Sequence, residues 1–296
     1  MSVDPFNKDC PDYEKPYRQT QRAQLLLTQI SFKHEQPLIW HAAHTLFTQF
    51  ADTKEAKDIC YRYMKTRDTS GLAGIFKTEN WAPKMNFHIH PFLHEKEAKG
   101  DGNSVIHVHL SEQEGSRLAC TCKSGRAITF FPKQYSQKPF GNQILTSMVI
   151  APGMSIGDIG TSISVTATHE TTHAFLKSED HKLALQHCPV HYQQRFPWES
   201  EIRVYGDELC VALARSPDRY KVSTNAETLT YILLAAVLTL MHEDLDFSTE
   251  IVTKRDKPLA YIKEWRERTG FGWKGPKTYL QGMPDGYGYA EFGMGG

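Results

Sequence analysis

The order of hydrophobic periodicities along the chain predicts an α+β fold, with helices at the N-terminal side, strands in the middle and helices again after them. Three observations carry that reading. Apolar residues recur at helical spacing from Thr20 to Met64. The period then changes to two at Phe87-His88-Ile89-His90 and Ile106-His107-Val108-His109-Leu110. Apolar runs beyond Ile163 and in Ala226 to His242 return to helical character.

Residues 1–18 are polar and contain proline, which predicts a loose N-terminal arm. Leu25, Leu26 and Ile30 then mark a first helix, which Pro37 is expected to break. Leu38, Ala42, Leu46 and Phe50 follow at steps of four as a second helix. Asp52-Thr53-Lys54-Glu55 resembles a capping box opening a third, with Ile59, Cys60, Tyr63 and Met64 as its buried stripe. His34, His41 and His44 read as surface or rim residues of this bundle. Gly71 to Pro83 reads as loop.

The two alternating stretches each put two histidines on one strand face. That invites a second metal site, but no carboxylate or cysteine stands at ligand spacing, and the reading is a polar outward face. Ala127 to Phe131 and Ile144 to Ile150 are further strand candidates, and Pro152-Gly153 turns the chain toward the next helix. After that helix the chain is polar and rich in histidine (His181, His187, His191) as far as Pro197-Trp198. Asp207 to Ala214 and Ala226 to His242 read as helices, the second capped by Thr224 or Asn225. The domain reading is an arm at 1–18, a main domain at 19–245 and a C-terminal extension at 246–296 with a Gly/Tyr-rich tail.

Lys and Arg number 34 and Asp and Glu number 34, so no basic excess points to nucleic acid or an anionic membrane. The longest apolar run, Tyr231 to Met241, is too short to span a bilayer, and the first residues hold no apolar segment of the kind a signal peptide needs. The expectation is a soluble, cytoplasmic protein. Six cysteines are compatible with three disulfides or none, and Cys120-Thr121-Cys122 lacks the C-x-x-C spacing of a zinc ribbon.

The chemistry concentrates at Thr168-His169-Glu170-Thr171-Thr172-His173. On a helix, His169 and His173 share a face and can offer two imidazoles to one zinc ion, with Glu170 one step round as a base for an activated water. A third protein ligand is needed. Glu179, Asp180, His181, His187, His191, Glu199, Glu201 and Asp207 all lie within reach downstream. A metzincin would carry a histidine six residues after His173, where this chain has Glu179, so that class is excluded. Glu201, 28 residues on, suits a glutamate ligand on a following element.

Several of these segments resemble the deuterolysin and peptidyl-lysine metalloendopeptidase family, the aspzincins. Val204-Tyr205-Gly206 is similar to the family's Tyr-Gly segment, and Asn225-Ala226-Glu227 to its Asn-Ala-Asp helix. Ala119-Cys120-Thr121-Cys122 with Ala127-Ile128-Thr129 is similar to its Cys-x-Cys strand region. The resemblance spans roughly residues 20–240. It implies a zincin-like fold in which a helical N-terminal part and a small twisted sheet flank the HExxH helix, with further helices C-terminal to it.

Counting back from Tyr205, the family's aspartate ligand falls on Ile202, and the family's disulfide cysteine falls on Ala151. Glu201 is therefore ranked first as third ligand, followed by Glu199, Asp207 and His191. The resulting expectation is one Zn2+ per chain held by His169, His173 and Glu201, Glu170 as general base, and a peptide or protein substrate. By resemblance, Tyr205 would donate to the developing oxyanion and Glu227 would face a substrate lysine, and secretion is the family's usual alternative to the cytoplasm. Two other readings compete: a hydrolase of this fold that processes one intracellular peptide or small amide, and a metal-free binding module.

Overall fold

The computed structural model describes residues 23–93, 105–111, 117–131, 134 and 138–271. The arm expected at 1–18 and the Gly/Tyr-rich tail lie outside the described residues. The described chain is mixed α and β, with one four-stranded sheet and two small two-stranded pairs.

Helix α1 runs over 23–30, passes through a π turn at Ser31–Glu35 and continues as Gln36–Thr48. The expected break at Pro37 is absent. Proline lacks an N–H and crowds the carbonyl one turn back, and the wider π turn just before it lets the helix continue. The Gln36 N–H reaches Ser31 O as that geometry requires. Helix α2 (Lys54–Met64) starts at Thr53, whose side chain accepts from Ala56 N. Glu55, expected to complete a capping box, turns instead to Arg255 and Tyr261. The segment read as loop holds two short helices, α3 (Ser70–Ile75) and α4 (Thr78–Trp81).

Strands β1 (Phe87–Leu93), β2 (Ile106–Leu110), β3 (Ala119–Thr121) and β4 (Ala127–Phe130) form the larger sheet in the order β1-β2-β4-β3. The first three of that order are parallel, and β3 runs antiparallel at the edge. One face carries Ile89, Val108, Ile128 and Thr121 in a row and packs into the core. Phe32 of α1 bridges Phe87 and Phe130 there, at ring centroids 5.0 and 5.3 Å away.

The stretch 144–150 is not a strand; it makes a 3-10 turn at Leu145–Ser147. Its backbone donors are taken by side chains: Leu145 N donates to Ser164 Oγ and Thr146 N to the Glu35 carboxylate. A segment whose N–H groups are satisfied this way has none left for a ladder.

A single-turn helix α5 (Ile156–Ile159) leads into α6 (Ile163–Leu176), which carries the HExxH motif. Ser162 caps α6 by accepting from Val165 N, and Lys177 closes it in the left-handed conformation at φ 54°. Four threonines make α6 a weak helix former by propensity, so packing must hold it. Gln36 donates to Thr168 Oγ1, and Trp40 Nε1 donates to Thr171 Oγ1.

Beyond α6 come β5 (Lys182–Ala184), α7 (Val190–Arg195), β6 (Glu201–Arg203), α8 (Asp207–Arg215) and α9 (Ala226–Met241). The almost wholly buried α9 packs against α1 and α6. At Gly160 a Cβ would run into the ring and hydroxyl of the buried Tyr231 of α9, so glycine permits this approach. The paired strands β7 (Leu245–Asp246) and β8 (Thr253–Lys254) and helix α10 (Ala260–Thr269) follow. Arg255 and Tyr261 bind the Glu55 carboxylate at 2.9 and 2.6 Å, and Ile262 and Trp265 join the main apolar cluster. Among the described residues no helix is long and apolar enough to cross a membrane.

Candidate metal centre

His169 and His173 lie one turn apart on α6, and His169 reaches the start of α9. Each ring has its Nδ1 taken. His169 Nδ1 donates to Glu227 Oε2 at 2.7 Å, and His173 Nδ1 donates to Ser178 O at 2.7 Å. A carboxylate and a carbonyl only accept, so both Nδ1 atoms carry a proton, and in the neutral rings both Nε2 atoms present lone pairs. The two Nε2 atoms are 3.1 Å apart.

The third group at this point is Asp180. Its Oδ1 lies 3.2 Å from His169 Nε2 and 3.4 Å from His173 Nε2. The chain after α6 is pinned to the start of α9: Glu179 N donates to Thr224 O, Ala226 N to Glu179 O, and His181 N to Asn225 Oδ1. That bridge leaves Asp180 projecting back over the α6 histidines. Its other oxygen, Oδ2, accepts from the Tyr205 hydroxyl at 2.8 Å.

The three donor atoms thus form a triangle with sides of 3.1, 3.2 and 3.4 Å. Four ligands set tetrahedrally at zinc's ordinary bond lengths of about 2.0–2.1 Å stand about 3.3–3.4 Å apart. The donor set fits zinc in size and in chemistry, two neutral imidazoles and one carboxylate. Electrostatics favour a cation as well. Glu170, Asp180 and Glu227 surround two imidazoles whose Nε2 atoms converge, and the only polar atoms placed on the buried Asp180 Oδ1 are those two ring nitrogens, at 3.2 and 3.4 Å. Without a cation the site must hold protons instead. Burial works against charging His169, yet hydrogen bonds to Asp180 and Glu227 outweigh it and hold the imidazole well above its ordinary range. Asp180, also despite its burial, is held far below the usual carboxylate range by the same two histidines.

Glu170 reaches the sheet. It is buried, its carboxyl is pushed upward by that burial, and Thr121 Oγ1 of β3 donates to its Oε2. This glutamate is thereby attached to the edge strand of the sheet.

Glu201 is not part of the cluster. It sits on β6 across from Ala184, exposed, with Lys182 Nζ at 3.7 Å as its partner. The lower-ranked candidates are also elsewhere. Asp207 is buried against Arg62 and the Tyr63 hydroxyl, Glu199 is exposed, and His191 pairs with Glu208 at 3.1 Å. Counting from Tyr205-Gly206 misplaced the carboxylate because β5 and β6 pair back on each other, and Val204 N bonds His181 O. Residues 181 and 204 are therefore neighbours, and Asp180 stands beside Tyr205 in space. The only sequence signal for Asp180 was its nearness to the helix end, seven residues after His173.

Glu227, expected to face a substrate lysine, has both oxygens engaged within the protein, Oε2 by His169 and Oε1 by Gly206 N at 2.8 Å, and it orients that histidine. Gly206 makes this contact at φ 87°, where a side chain is strained, which accounts for glycine after Tyr205. Tyr205 stands beside the site, its ring 6.0 Å from that of His169, with its hydroxyl on Asp180.

Comparison with protein-family models, with curated proteins and with solved structures finds no match to this chain.

Proposed function

We propose that the protein is a zinc-dependent metalloendopeptidase of the zincin type, related to the aspzincins, with His169, His173 and Asp180 as the metal ligands. The near-equilateral triangle of Nε2, Nε2 and Oδ1 atoms is the observation that carries this reading. A zinc ion held by His169, His173 and Asp180 would supply Lewis acidity and lower the pKa of a bound water to about 7.

Glu170 takes the proton of the attacking water and passes it to the leaving amine. Its burial suits the task, because a carboxyl raised above its ordinary range accepts a proton more readily and can return it. Glu227 and Ser178 hold the two imidazoles in the tautomer that points Nε2 at the site. Tyr205 steadies Asp180, and on substrate binding its hydroxyl is near enough to turn to a developing oxyanion.

The edge strand supports a peptide as substrate. Cys122 N bonds Ala127 O and Leu118 O receives Phe131 N, so by antiparallel alternation Ala119 and Thr121 aim their backbone groups away from β4. An extended peptide can add to that edge as a further strand, with its carbonyls carried past Glu170.

A Glu170→Gln variant tests the reading against a mixed peptide library read by mass spectrometry. The expected result is wild-type zinc content with cleavage slowed by about 10²–10⁴-fold. A zinc-replete wild type that cleaves no peptide in the library would overturn it, and a wild type that takes up no zinc would favour the metal-free binding module.

A further inference from the structure

We infer that His90, His107 and His109 form a second metal site, for a late first-row divalent cation of the zinc class, on the face of the sheet opposite the catalytic cluster. The register of the sheet produces it. His88 pairs with His107, and Ile89 with Val108, so the alternating histidines of two parallel strands fall on one face. The residues between them, Ile89 and Val108, fill the core face that Thr121 and Glu170 share. The two clusters are therefore separated by the sheet itself.

The donor atoms of His90, His107 and His109 lie within 4.8 Å of one another. His90 Nε2 and His107 Nδ1 are 3.0 Å apart, close to the spacing of two nitrogens on one zinc ion. The His90 and His109 rings are stacked with centroids 3.9 Å apart, and His109 is 7% exposed. An all-imidazole set selects zinc, cobalt, nickel or copper over calcium or magnesium, which need oxygen donors. One ligand comes from edge strand β1 and two from β2, so the ion would fasten the edge strand to its neighbour. A single strand seen alone offers only two histidines, and the third comes from strand pairing.

The test uses the full chain with the catalytic cluster disabled by His169→Ala and His173→Ala, dialysed against Zn2+ and separately against Co2+. The expected result is one equivalent of either metal per chain, with the cobalt form showing the visible absorption of low-coordinate, nitrogen-ligated Co2+. Adding His107→Gln removes that equivalent. Because His107 is partly buried, His90→Gln serves as a second variant, and circular dichroism in chelator confirms that each is folded. In the otherwise wild-type chain, His90→Gln leaves one zinc and leaves peptide cleavage unchanged. The proposal is overturned if the catalytic-cluster variant binds neither metal, or if the bound equivalent survives both His90→Gln and His107→Gln.

Discussion

His169 Nδ1 and Glu227 Oε2 meet at 2.7 Å, joining the middle of the HExxH helix to the first turn of α9. The same carboxylate receives Gly206 N, so one glutamate sets the orientation of an imidazole of the proposed metal site and the backbone entering α8. Partners of this kind fix the tautomer and raise the basicity of the ligand.

Replacing Glu227 with alanine is expected to weaken zinc binding by about 10–100-fold, the usual effect of removing such a partner. Competition against a chromogenic chelator measures it. Unchanged zinc affinity together with a raised KM only for lysine-containing peptides would return Glu227 to the substrate-binding role.

Asp180→Ala and Glu201→Ala separate the two candidate ligands. Asp180→Ala is expected to lose the catalytic zinc and peptide cleavage together. Glu201→Ala keeps both, and its stability changes by less than about 0.5 kcal/mol, since the side chain is exposed and its partner Lys182 is exposed too. Metal analysis of each variant, made on a His90→Gln background so that sheet-bound metal does not mask the loss, gives the answer directly. Zinc lost with Glu201 and retained without Asp180 would reverse the assignment.

Glu35 predicts a pH dependence of stability. It is fully buried beneath α6, takes hydrogen bonds from Ser164 Oγ and Thr146 N, and burial pushes its carboxyl from the ordinary 4.5 up to about 7. The native state therefore holds this proton more tightly than the unfolded chain. Its contribution is fully present below about pH 4.5 and is lost as pH rises through about 7, a change on the order of 3 kcal/mol. Denaturant unfolding at pH 5 and pH 8 should show this loss in the wild type and a smaller one in Glu35→Gln. Equal losses in the two proteins would show that Glu35 is not the group responsible.

Much of this protein was legible locally. The capping residue Thr53, the alternating strands at 87–90 and 106–110, the helix opened at Asn225 and the His169/Glu170/His173 turn all follow from residues close together in the chain. Each is set by short-range periodicity and backbone hydrogen bonding, which neighbouring residues determine. The apolar segment 144–150 was misleading for the converse reason. Its β-like composition is real, but Glu35 and Ser164, distant in sequence, satisfy its backbone donors.

By itself the sequence determined the α+β class and the two histidines and glutamate of α6, because a four-residue spacing on a helix is a local fact. Tertiary structure alone decided that Asp180 completes the triangle, that Glu227 serves His169, and that histidines from two strands gather on one face. These depend on which strand pairs with which and on how residues 179–181 dock against the start of α9. Such contacts join positions tens of residues apart, and their geometry comes from packing the whole core rather than from any spacing along the chain.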